Sequence, residues 1–165
     1  MRSNPRLLIA SVAGAAALSL GVGGALAATS HQSAGRTCKY NLSNSPPAPP
    51  TAGTMSGKVK CGKPAGKGKA KFTYTSALAP GKKGVRVTYK GTFKDKFKKG
   101  TVKGTFKMSG AVPASGLPLI LKGKYTVKRG TKKLRKAHGG GTITCKSTDF
   151  TRTFKCTTVQ TKGKL

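Results

Sequence analysis

Residues 85–93 read VRVTYKGTF, and this stretch decides the fold. Val85, Val87, Tyr89, Gly91 and Phe93 fall on one side of an extended chain. Arg86, Thr88, Lys90 and Thr92 fall on the other, continued by Lys94. A period of two marks a pleated strand with one buried and one solvated face. The pattern recurs on both sides of this stretch. Val102, Gly104, Phe106 and Met108 oppose Lys103, Thr105 and Lys107. Leu121, Gly123, Tyr125 and Val127 oppose Lys122, Lys124, Thr126 and Lys128, and Ala70, Phe72 and Tyr74 oppose Lys71 and Thr73. No stretch beyond the N-terminal leader carries an apolar period of 3.6, and 23 glycines weigh against helices.

Residues 88–94 (TYKGTFK) and 101–107 (TVKGTFK) are near-copies, and KGKY at 122–125 echoes them. In each, a glycine lies on the apolar face two residues before an aromatic. A glycine there weakens a flat strand, so it implies a geometric use: sharp coiling, or close packing under a neighbouring ring. The predicted strands are 37–42, 55–61, 69–76, 85–94, 101–108, 119–127, 132–137, 142–147 and 152–159, joined by short Gly, Pro or Lys loops. This order predicts an all-β fold, an antiparallel up-and-down barrel of about eight strands, with a two-sheet sandwich as the alternative.

The first 27 residues read as an export signal. Arg2 and Arg6 precede the uncharged run at 7–20 (LLIASVAGAAALSL), and 21–27 (GVGGALA) ends in small-x-small, Ala25-Leu26-Ala27. An uncleaved anchor is the alternative, weakened by the Ala- and Gly-rich character of the run. Residues 28–53 read as a flexible N-terminal segment with one short strand and a loop, 43–53 (SNSPPAPPTAG), holding four prolines. Residues 54–165 read as the barrel domain. The four cysteines, Cys38, Cys61, Cys145 and Cys156, are an even set in an exported chain, which implies disulfides. Their spacings offer no close ligand pair for zinc. Of three connectivities, Cys38–Cys61 with Cys145–Cys156 is favoured, because the second pair faces across an apparent hairpin.

Lys plus Arg number 33 against two acids, for a net charge of +31. Removing the signal leaves about +29, from the same residue counts. Such an excess attracts any polyanion. Because the lysines alternate with the core residues, they coat the outside of the fold. Lys90, Lys94, Lys103, Lys107, Lys122, Lys124 and Lys128 are the candidate contacts to anionic polymers. Contacts of this kind are salt-sensitive and loose, because lysine is a solvated point charge without the bidentate fork of arginine. A merely solubilising charge is the competing reading.

Catalysis has little to draw on. Asp95 (in KDKFKKG) and Asp149 (in STDFT) read as turn residues bonding their own backbone. His31 falls in the flexible segment and His138 beside three glycines. No nucleophile elbow, metalloprotease motif or phosphate loop occurs, and no metal or cofactor is implied. Asn41-Leu42-Ser43 is a glycosylation sequon. Most aromatics have core parity, leaving Phe97 and Phe150 as the exposed candidates for stacking on nucleic-acid bases. No specific nucleic-acid motif and no later membrane span are present.

Residues 123–141 (GKYTVKRGTKKLRKAHGGG) resemble a turn signature of the allene oxide cyclase and dirigent barrel superfamily, through Gly123, Tyr125, Val127, Gly130, Thr131, Leu134, Ala137 and Gly139. Arg129 and Lys132 stand where that signature has glycines, and Leu134 where it has an aromatic. The chain is also similar to small secreted bacterial β-proteins of unknown role. The superfamily resemblance implies an eight-stranded barrel. It does not carry over that family's chemistry, which uses acidic and polar interior side chains, whereas the interior positions here read as Val, Phe, Tyr, Leu, Met and Gly. Function is therefore expected to be non-enzymatic association with anionic polymers. A barrel that binds a small ligand or acts like a cyclase or isomerase, and a purely structural surface domain, are the alternatives.

Overall fold

The two-residue alternation runs long enough, and curves enough, to close on itself. A computed structural model describes residues 36–45, 51–81, 84–114, 117–149 and 151–164. Eight strands follow in order: β1 Thr37–Ser45, β2 Ala52–Cys61, β3 Lys67–Gly81, β4 Gly84–Phe97, β5 Gly100–Ala111, β6 Leu119–Gly130, β7 His138–Ser147 and β8 Thr153–Lys164. Each pairs antiparallel with the next, and β1 pairs with β8, giving a closed eight-stranded barrel rather than a sandwich. Closure leaves no unpaired edge to template aggregation.

The expected export signal and the proline run at 46–50 lie outside the described residues, as does His31. The short strand set apart in the N-terminal segment is a full stave of the barrel. β1 closes the sheet between β2 and β8, so the barrel begins at Thr37 and not at residue 54. The proline-rich stretch before β2 hid this, because it reads as a linker while joining neighbours. The ninth strand, at 132–137, is replaced by a 3-10 turn, Lys132–Leu134. Lys132 takes a positive φ of 52°, and the turn buries Leu134 and Ala137, three residues apart, on the same side. That spacing belongs to a helical turn, and an extended chain would point the two residues to opposite faces. Thr131 anchors the turn by exchanging bonds with Thr101.

Inside, aromatic rings fill the barrel in two groups. Phe72 packs against Phe106, Tyr40 and Phe93 at centroid distances of 5.0, 5.5 and 5.7 Å. Nearer the other end, Tyr89 packs against Tyr74 at 4.9 Å and Phe154 at 6.1 Å. Val85, assigned to the core face by parity, is 47% exposed. The β3–β4 hairpin outruns the core there, and its partner Pro80 is exposed too.

The repeated glycines take both expected uses. A Cβ on Gly104 would stand 2.5 Å from Phe93 Cε1, so the ring of β4 lies directly over the bare backbone of β5. A Cβ on Gly91 would run into the carbonyl of Thr73, showing how closely the coiled strands approach. Both disulfides form as favoured, Cys38–Cys61 and Cys145–Cys156, each between residues directly opposite in the ladder. They staple β1 to β2 and β7 to β8, on either side of the β1–β8 seam.

Two stability outcomes follow. Gly104→Ala is expected to lower unfolding free energy by about 1–3 kcal/mol or more, because the Thr126 carbonyl of the neighbouring strand must shift and the Phe93 ring must move in a filled interior. Replacing Cys145 and Cys156 together by alanine is expected to cost about 3 kcal/mol, the chain-entropy value for so short a loop. Urea unfolding followed by circular dichroism measures both.

Candidate functional site

The candidate lysines lie on the outward side of β4, β5 and β6. Six of the seven are exposed and Lys103 is half-buried. Strand register sorts them. Lys90, Lys107 and Lys124 stand directly opposite one another in one row, and Lys94 faces Lys103 in another. Between these rows runs Thr92–Thr105–Thr126. Lys122 faces Ser109 and Thr144, away from the main row. Lys128 is the extra residue of a bulge where the register slips between Lys103 and Gly104. The structure thus brings five of the seven into two ordered rows and places Lys122 and Lys128 apart from them.

A second group of lysines was not singled out by the sequence. Lys155, Asn41, Lys58, Lys69 and Lys96 form one continuous row across β8, β1, β2, β3 and β4. Lys39–Lys60–Lys67 flanks it on one side and Lys71–Lys94 on the other. Two depressions, of about 690 and 590 Å³, lie on opposite sides of this row, each between it and a flanking row, and share Lys58. Their floors include Gly57, Gly68 and Ala70. Alternation alone marks every outward lysine equally. Only register distinguishes this region.

Both acids can now be placed. Asp149 is the turn residue expected: its carboxylate accepts bonds from the Thr153 amide at 2.8 Å, the Thr153 hydroxyl at 2.6 Å and the Ser147 hydroxyl at 3.0 Å. The Thr153 bonds hold its carboxyl below the usual range. Asp95 is not a turn residue. It is 3% exposed and lies inside the barrel. β4 keeps its alternation past Phe93, so Asp95 and Phe97 continue the inward set, and the turn comes only at Lys98 and Lys99. The lysines around Asp95 had suggested a loop. For the same reason Phe97 is buried and offers no stacking platform, while Phe150 lies outside the described residues. The interior therefore does hold an acid, contrary to the parity reading.

Asp95 Oδ2 accepts a 3.0 Å bond from the Tyr40 hydroxyl, and Oδ1 has no partner. Burial pushes its carboxyl up to about 7, against which the Tyr40 bond acts only partly. Tyr40 is itself held well above its ordinary value, by burial first and then by the charge of Asp95. Such a carboxyl can give or take a proton near neutral pH. Tyr40 and Phe93, however, are themselves packed against Phe72 and, for Phe93, against Tyr125 at 6.2 Å. His138 is exposed and its Nδ1 lies 2.8 Å from the Lys136 carbonyl. Asn41, the sequon residue, is exposed on β1. Among the described residues no group of three or more His, Cys, Asp or Glu converges as metal ligands. No described helix is long and apolar enough to cross a membrane.

Comparison with protein-family models, with curated proteins and with solved structures finds no match.

The buried carboxyl sets the pH dependence of stability. At low pH Asp95 is protonated in folded and unfolded chains alike. As pH rises past 3.8 the unfolded chain loses this proton first, while the folded chain keeps it until about 7. Stability is therefore expected to fall across that window, by on the order of a few kcal/mol, and to level off above it. Asp95→Asn removes the slope and leaves a flat profile in urea unfolding between about pH 4 and about pH 8. A wild-type profile that rises with pH across this window would contradict the assignment.

Proposed function

We propose that this protein is an exported, non-enzymatic barrel that associates with anionic polymers through its outer lysines. One observation carries the reading: like charges stand directly opposite one another on successive strands, as in Lys90–Lys107–Lys124 and Lys58–Lys69–Lys96. Opposed like charges destabilise a sheet. Solubility alone needs only a modest net charge with both signs interspersed. Here the excess is +31. Asp95 is buried and Asp149 is bonded within its turn, so neither offsets the rows. A partner that supplies negative charge relieves this repulsion, and a partner with many charges relieves it along a whole row.

The disulfides support an oxidising compartment, which suits export. The outward lysines and threonines are unlike the apolar band of a lipid-facing barrel. The barrel architecture agrees with the superfamily resemblance at 123–141, but membership in that superfamily remains a proposal resting on the turn alone. A ligand-binding or isomerase-like role would centre on Asp95 and Tyr40. The ring packing around that pair favours the outer face as the working surface.

The expected outcome is retention on heparin resin through more than about 0.15 M salt, the physiological ionic strength, beyond that of a basic globular control of similar net charge. Heparin in solution should also raise the melting temperature, since a ligand bound by the folded form alone stabilises it. Elution together with the control would remove the basis for the proposal.

A further inference from the structure

The lysine coat is not uniform. On β4–β6 two cation rows are separated by a row of threonines. On β8–β1–β2–β3–β4 a row of four lysines and Asn41 stands between two depressions, one on each side of it. We infer that this row, with the depressions that flank it, is the track for one chain of an acidic polysaccharide, lying across the strands along Lys155, Asn41, Lys58, Lys69 and Lys96. The inference rests on the polyanion reading above and narrows it to one place and one ligand class.

Three features point to a track. The first is continuity: the row from Lys155 to Lys96 borders both depressions, one on each side, and Lys58 belongs to both. The second is charge on three sides. Flanking rows stand two residues away along each strand, about 7 Å at strand rise, within reach of a lysine side chain from either bank. A linear polymer on the axis meets cations below and beside it, whereas on the β4–β6 wall it meets one row at a time. Neighbouring strands repeat about every 4.8 Å, so from Lys58 to Lys96 the axis offers positive charge at short intervals, with Asn41 the one uncharged position before Lys155. The third lies in the fold. Gly57, Gly68 and Ala70 lie in the floors of the depressions with Tyr40, Val59 and Cys156, and a Cβ on Gly68 would run into the Lys96 carbonyl and stand 2.7 Å from Phe97 Cδ1, so the close backbone approach there is fixed by packing.

The lining selects among polyanions. Nucleic-acid tracks add aromatic rings that stack on bases, or arginines that grip phosphates bidentately. Neither lines this track: the cations of the two depressions are all lysine, and their one aromatic, Tyr40, is buried in the interior. Its uncharged polar residues are Asn41, Ser56 and Thr157. An amide and two hydroxyls suit the hydroxyl groups of a sugar chain, which sit between its acidic groups. Asn41 lies on the axis itself, so a glycan attached at its sequon would occupy the track.

The test compares variants of equal charge. K58Q/K69Q/K96Q empties the axis, and K90Q/K107Q/K124Q removes as many lysines from the β4–β6 row. Asn41→Glu and Thr92→Glu each add one acid, in the track and on the wall. Binding of a size-defined heparin oligosaccharide and of a charge-matched oligothymidylate is read by fluorescence anisotropy on the full-length protein. The axis variant and Asn41→Glu are expected to lose about tenfold or more for the oligosaccharide, and the wall variants less than about threefold. Removing opposed lysines should not lower the melting temperature, so a loss of binding is separable from unfolding. Equal losses from axis and wall overturn the track while leaving the general polyanion reading in place. No binding by the wild type overturns both. Oligothymidylate bound more tightly than the oligosaccharide, with the same axis dependence, overturns the choice of ligand class.

Discussion

Everything in this molecule depends on the seam between β1 and β8. Thr37 to Ser43 pair antiparallel with Thr153 to Val159, joining the first strand of the sheet to the last. A closed sheet must coil and tilt, and neighbouring backbones approach closely where it does. That is why glycines recur on the inner face, and why the Phe93 ring rests on Gly104. Closure also divides the chain into a lined interior and a solvated exterior with no edge between them. The two disulfides hold the hairpins on either side of the seam, so the strands most separated in sequence meet as pre-formed pairs. Non-local closure is the entropically demanding step in such a topology.

Gly57, Gly68 and Ala70 lie in the floors of the two depressions that flank the lysine row. The same closure brings Asp95 of β4 to Tyr40 of β1, 55 residues apart. A carboxyl so enclosed, with one oxygen unpartnered, weakens the fold when ionised. The hydrogen bond from Tyr40 compensates in part. The barrel thus carries an internal burden as well as the repulsion of its surface charges.

Most of this fold was legible because alternation is a local signal. Val87, Tyr89, Phe93, Phe106, Leu121 and Tyr125 are buried where their parity puts them, and both cysteine pairs lie opposite in register. The misreadings came where composition outweighed periodicity. Lysines around Asp95 and Phe97 suggested a turn, but a strand can place lysines outward while its inward set continues. Prolines after β1 suggested a linker, but the connection they occupy joins adjacent staves. Parity put Val85 in the core, because alternation says which side a residue faces and not whether the barrel extends that far. At 132–137 the positive φ of Lys132 turned a weak alternation into a 3-10 turn. The continuous lysine row was illegible for a different reason. It depends on which lysines face which across five strands, and register of that kind is a property of the closed sheet.

The charge and the closure bear on each other. A net charge of +31 spread over an eight-stranded barrel repels itself in the compact state. Opposed lysines on adjacent staves push at the ladder that closes the sheet. Closure, ring packing and two disulfides hold against this, but none of them removes it. Counter-charge does, and a polymer delivers it to several staves at once. A chain lying across β8, β1 and β2 would also span the β1–β8 seam, with Lys155 on one side and Lys58 on the other. Its negative charges would draw the two sides together where the sheet is closed by its most distant strands. On the proposed function, binding along the lysine track and stability of the seam are linked, and the feature that looks like a liability of the free barrel would become the means by which a partner strengthens it.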